Sequence, residues 1–423
     1  MSENEVTRPQ SRGRNITALL IAASLTGCDT PAPSFTCTDA IGCVDVAPGA
    51  PIKLAALLTL SGFDELQGTD QLRAIELAID DRDGELLEHP IALQAEDTEC
   101  TAGGATIVAL KVTADPELVG ILGTNCSVAA IPTSRIMSEA GLSMISGSNT
   151  LPSLTSVGGK QGSDWQLGYF RTVSNDVDQG RAAAVFTFEE LRARRAAVVN
   201  DGDPYTRALT EVFAQVFTEL GGEVVVSTGV NKGDTNMEPM LTAVATARSE
   251  MLFTPTFHGE ATHIVVQADD FIGLEHTALM TTFKQQSFLE AVGTAGVGLY
   301  LVGPKTPKGD AYDGLVARYE SKYGELPPGN YHAQAYDAAN LMLSAIGAVA
   351  IQEEDGTLHI GRQALRDALY ATRDFQGLTG RLGCDEFGDC GADRFDIVQV
   401  ENPAAGLEGL TKNVIYSHGR ERP

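Results

Sequence analysis

Residues 52–60 read Ile-Lys-Leu-Ala-Ala-Leu-Leu-Thr-Leu, a near-continuous apolar run. Such a run suits a strand buried on both faces, as in a parallel sheet covered by helices. Ser61-Gly62 then opens a polar loop to Gly68. Thr69 or Asp70 is placed to cap a helix with Leu72, Ile75 and Ile79 at helical spacing. Strand 91–95, helix 105–113, strand 118–123, helix 129–140 and strand 142–145 follow. The alternation restarts after Arg171 with helix 179–191, strand 196–200 and helix 205–220, which Gly221-Gly222 closes. Strands 223–228, 251–254, 278–281 and 298–302 then alternate with helices 237–247, 260–271 and 286–291. Repeated β-α-β-α order predicts an α/β fold built on doubly wound sheets. Two units of similar plan, 52–171 and 172–303, predict two Rossmann-like lobes. Helices 310–323, 331–351 and 362–370 and the β-rich stretches 375–382 and 396–400 are too small for a third domain. They are expected to complete the lobes, so the chain should cross between them more than once.

The first 28 residues read as an export signal. Arg8, Arg12 and Arg14 precede an uncharged apolar run over 16–25, and Leu25-Thr26-Gly27-Cys28 follows. The run is about 10 residues, against roughly 20 for a bilayer span. Leu-Thr-Gly-Cys is similar to a bacterial lipobox, in which cleavage precedes the Cys and the thiol is lipidated. Residues 1–27 are therefore expected to be removed, with Cys28 becoming the lipidated first residue. Residues 28–50, rich in Pro, Thr, Asp and Ala without periodicity, read as a tether. The expected location is the periplasm or cell surface, with membrane attachment through lipid alone.

The formal net charge is −26. That argues against nucleic acid, whose binding rests on Lys and Arg against phosphate. It also argues against docking on anionic lipid through a basic patch. Beyond Cys28, six cysteines remain in an oxidising compartment, and three disulfides is the natural count. Cys37 and Cys43 lie close together, Cys384 and Cys390 flank a turn containing Gly388, and Cys100 and Cys126 each follow an apolar run. No C-x2-C or H-x3-H spacing supports a metal. There is no Walker loop, no G-x-S-x-G elbow and no partnered His. Neither an enzyme nor a cofactor is expected.

The chain resembles type I periplasmic solute-binding proteins, in the Leu/Ile/Val-binding branch of ABC transporter receptors. The resemblance rests on 52–62 with Gly68, on Cys126-Ser127, on 145–155, and on Phe170-Arg171-Thr172 with Asp176 and Asp178-Gln179-Gly180. Tyr336-Asp337-Ala338-Ala339-Asn340 and 375–380 complete it. It implies two lobes joined by a three-strand hinge, closing on a small ligand and serving an ABC permease or a membrane signalling partner. A monomer is expected. The implied division is 51–171 plus 304–374 for the first lobe and 172–303 plus 375–423 for the second. The resemblance also implies a Cys100–Cys126 disulfide. It puts ligand contacts at Ser127, Ser148, Asn149 and Thr150, with Gln67 in the first loop and Tyr205 and Phe257 on the second lobe. Ser127 and Thr150 would offer hydroxyls to a carboxylate, and Ser148 and Asn149 backbone N–H groups. Amino-acid-binding members carry an acid after the strand matching 278–281, but here the sequence is Thr282-Phe283-Lys284-Gln285. Free branched-chain amino acids are therefore expected to bind weakly unless Asp176 supplies the acid. Phe283 would suit an apolar ligand and Lys284 a second carboxylate.

Overall fold

The computed structural model describes residues 35–268, 271, 279–281, 285–392 and 394–419. From residue 37 onward the chain is one compact unit built on two large sheets. The first has the order Glu85–Leu86, His89–Asp97, Ile52–Leu58, Leu118–Gly123, Ser143–Ser146, Tyr169–Arg171. All pairs are parallel except that of the short edge strand Glu85–Leu86. The second has the order Glu223–Gly229, Arg195–Asn200, Met251–Thr254, Leu279–Thr281, Tyr300–Pro304, Arg394–Gln399, Val414–Gly419. Its last two strands run antiparallel to their neighbours.

Each sheet is covered on both faces, which explains the continuous apolar runs. Around the first sheet, Ile75 and Ala78 of helix Glu65–Asp80 join Leu341, Met342 and Ile346 of helix His332–Val349 on one side. Val108, Val112, Ala130 and Met137 from helices Ala102–Thr113 and Ser127–Glu139 fill the other. In the second lobe, Phe213 of helix Pro204–Glu219 stacks on Phe253 at 4.3 Å and on Phe217 at 5.5 Å. The chain passes between the lobes after Arg171, after Pro304 and again before Arg394. Among the described residues no helix is long and apolar enough to cross a membrane. The disulfides are Cys37–Cys43, Cys100–Cys126 and Cys384–Cys390.

Three sequence expectations need correction. The first helix begins at Glu65, not at Thr69 or Asp70. Gly68 lies inside it, against the Thr59 carbonyl, where a Cβ would stand 1.8 Å from the oxygen. Gln67 is expected in the polar loop and Asp70 as a cap, yet both lie inside the helix and are buried. Second, the stretch read as tether ends early. Cys43–Val46 is a strand paired with Leu358–Gly361, and Val44 and Val46 enter the first lobe's core. Two apolar residues are too few for a periodic signal. Third, the segment 375–390 belongs with the first lobe. Phe375, Cys384 and Cys390 pack in its core, and Arg171 exchanges backbone bonds with Gly388 and Cys390 at 3.0 and 2.9 Å. The second lobe regains the chain only at Arg394.

Candidate functional site

The loops at the carboxyl ends of the parallel strands of both lobes meet at a small cavity of about 60 Å³. Ligands of open α/β sheets lie beyond these strand ends. Gln67, Ser127, Ser148 and Thr150 line it from the first lobe, and Tyr205 and Phe257 from the second. Asp64, Gln71, Asn125, Thr256 and Tyr331 complete most of the wall.

Ser127 is the first residue of a helix of 13 residues. The leading N–H groups of a helix lack intrahelical acceptors and favour an anion. Its Oγ accepts from Leu151 N–H at 3.4 Å, so it also ties the 148–151 loop to the helix. Thr150 is 3% exposed, and its carbonyl accepts from Asp176 N–H at 3.0 Å. Ser127 and Thr150 both line the cavity from the first lobe.

Ser148 and Asn149 play different parts from those expected. Their N–H groups both donate to Ser146 Oγ, at 3.1 and 2.9 Å. The Ser148 hydroxyl lies 3.0 Å from Asn125 O and 3.1 Å from Gln71 Oε1, and its one proton serves one of them. Asn149 is fully buried and does not line the cavity. Its Oδ1 accepts from Thr124 and Tyr169, each at 3.2 Å. These two residues shape the turn that carries Thr150. Asp176 does not line the cavity either. It opens helix Asp176–Val185 in full burial, and that burial pushes its carboxyl up to about 7 against the pull of Thr150 and Arg171. Phe283, Lys284 and Cys28 lie outside the described residues.

Sequence reasoning missed Asp64. It occupies the position before helix Glu65–Asp80, and its Oδ2 accepts from Asn125 Nδ2 at 2.7 Å. Desolvation pushes this carboxyl up to about 7, opposed by the Asn125 bond and by Lys232. An acid in the loop after the first buried strand was the available signal. Asp64 also lies near Cys100 and Cys126, but those sulfurs share a disulfide and cannot act as thiolate ligands.

The cavity mouth is bridged from lobe to lobe. The Phe63 ring, on the first lobe, meets the Phe257 ring edge-on at 5.1 Å. Lys232 Nζ stands 4.6 Å from the Phe257 centroid and 5.0 Å from that of Phe63. Asp203, 2.7 Å away, holds this ammonium in place. Asp201 accepts from Thr206 Oγ1 at 2.6 Å and from Phe257 N–H at 3.4 Å, fixing the loops that carry Tyr205 and Phe257. The site is a polar floor on one lobe under an aromatic roof on the other.

Residues 51–404 match the family described as periplasmic binding protein. A leucine-, isoleucine-, valine-, threonine- and alanine-binding protein of Pseudomonas aeruginosa is 26% identical over 317 residues, 74% of this chain and 79% of that protein. An amino acid binding protein of the same organism is 27% identical over 177 residues, 42% of this chain and 46% of that protein. The crystal structure of a leucine binding protein from Thermotoga maritima superposes with a TM-score of 0.73 at 24% identity, covering 83% of this chain and 96% of that one.

Proposed function

The chain belongs to the periplasmic binding protein family, and from that premise we propose a receptor that captures a small zwitterionic ligand between its lobes and hands it, chemically unchanged, to an ABC permease. The observation that carries this reading is the cavity itself: donors at Ser127 and Thr150 share it with the Asp64 carboxylate. Donors suit a ligand carboxylate, and Asp64 suits an ammonium. A desolvated ammonium without an acidic partner is costly. Asp64 supplies the acid that 282–285 lacks, so the argument against free amino acids loses its ground. The family is extracytoplasmic, and we propose that this chain is held at the membrane by lipid on Cys28. Loss of membrane attachment in Cys28→Ser is the expected outcome, read by fractionation.

Calorimetry with leucine and with its amine-free analogue 4-methylpentanoate tests the ligand assignment. Asp64→Asn should cost about 1.5–3 kcal/mol for leucine, the worth of a charge-assisted hydrogen bond, or roughly tenfold to hundredfold in affinity. It should leave 4-methylpentanoate unaffected. Equal affinity of the unmodified protein for leucine and its amine-free analogue would sink the Asp64 assignment.

A further inference from the structure

We propose that a second cavity, at the crossings between the lobes, is a binding site for a small polyvalent oxyanion. This cavity holds about 420 Å³, against 60 Å³ for the cleft. Residues from all three crossings wall it: 172–174 from the first, 304–308 from the second, and Ala392 and Arg394 from the third. Its charged lining residues are Lys305, Lys308 and Arg394, and no carboxylate joins them among the described residues. In this chain that selection runs against composition, because 56 acidic residues face only 30 Lys and Arg. Lys305 and Lys308 are exposed and make no ion pair among the described residues.

A second observation points the same way. Gln334 lines the cavity at 4% exposure, and its Oε1 has no hydrogen-bond partner among the described residues. A buried amide oxygen without a partner is unfavourable. The amide can turn its NH2 group to the cavity, where an oxyanion would accept from it. The opposite wall is rigid. Leu378 N–H, Thr379 N–H and Thr379 Oγ1 all donate to the Asp337 carboxylate, at 2.7, 2.9 and 2.6 Å. Asp337 is thus engaged behind the wall. The cleft contains the acid Asp64, whereas the charged groups lining this cavity among the described residues are cations, so the two sites select different ligands.

The location gives the site a consequence. An anion held by Lys305, Lys308 and Arg394 joins the second crossing to the third, beside the first. It would stiffen the hinge on which closure turns, and any effect on cleft affinity must be reciprocal. The proposal does not rest on the identity of the cleft ligand.

Inorganic phosphate is the probe. The mature protein is titrated by calorimetry at fixed ionic strength, with chloride replacing phosphate in the control. One saturable site is expected, with a Kd of about 1 mM or tighter. Lys308→Gln should weaken it, and Lys305→Gln/Lys308→Gln should weaken it at least tenfold. Unchanged circular dichroism and an unchanged phosphate-free melting point show that the double variant is folded. Both lysines are exposed, so folding should not depend on them. Absence of saturable heat up to about 20 mM phosphate, well above that Kd, would overturn the site. So would equal phosphate affinity in the double variant.

Discussion

Asp389→Ala is expected to destabilise the protein by about 3–5 kcal/mol, because it leaves a buried guanidinium without its counter-ion. Arg171 is wholly buried, and its Nε donates to Asp389 Oδ1. Its Nη1 donates to the carbonyls of Asn149 and Leu151 at 3.0 and 2.9 Å, and its Nη2 to Thr155 Oγ1. Asp389, itself 3% exposed, also accepts from Ser156 Oγ at 3.3 Å and Asn175 Nδ2 at 3.5 Å. One ion pair therefore fixes the 149–155 loop, the first crossing and the turn before the third. Gly388 permits this approach. Its φ is +90°, and a Cβ there would stand 2.1 Å from the Tyr169 carbonyl oxygen. Urea unfolding of the variant checks the magnitude. A loss under about 1 kcal/mol, the range of an exposed pair, would show that the pair is not the anchor described. Arg171→Met/Asp389→Leu should recover only part of the loss, since it removes the unpaired charge but leaves the Asn149 and Leu151 carbonyls without their donor.

Removing the Cys100–Cys126 bridge has the second largest expected effect. The bridge spans a sequence separation of 26. Chain entropy for a loop of that size gives about 3.5 kcal/mol. The cost should appear in function as well as in stability. Cys126 immediately precedes Ser127 and lines the cavity, while Cys100 leads into helix Ala102–Thr113. The Cys100→Ala/Cys126→Ala variant should therefore melt earlier and bind its ligand more weakly. Thermal unfolding and calorimetry on that variant, beside the oxidised protein, measure the two effects. An unchanged melting point would contradict the structural role of the bridge.

Much of the α/β order was legible because the central strands are buried on both faces and read as unbroken apolar runs, as at 52–58 and 118–123. The helices between them follow the spacing of their buried stripes. Legibility failed where polar residues face inward. Gln67 read as loop and Asp70 as a cap, but both lie inside a helix whose buried polar face borders the cavity. Cys43–Val46 escaped notice because a four-residue strand with two buried valines shows no period. Of the candidate site, Gln67, Ser127, Ser148, Thr150, Tyr205 and Phe257 line one cavity, whereas Asn149 and Asp176 do not. Sequence could not show that the N–H groups of Ser148 and Asn149 serve Ser146. Nor could it weigh Asp64, whose importance comes from Asn125 and Lys232, far away in the chain.

The cleft is proposed to hold one small molecule through donors on the first lobe. Native mass spectrometry of protein purified without denaturation tests it most directly, applied to the unmodified chain and to Ser127→Ala/Thr150→Ala. Two lost hydroxyl contacts to a desolvated anion should cost about 3 kcal/mol or more, over a hundredfold in affinity. A one-to-one small-molecule adduct is expected on the unmodified protein and none on the double variant. The same adduct at the same occupancy on both proteins would contradict it.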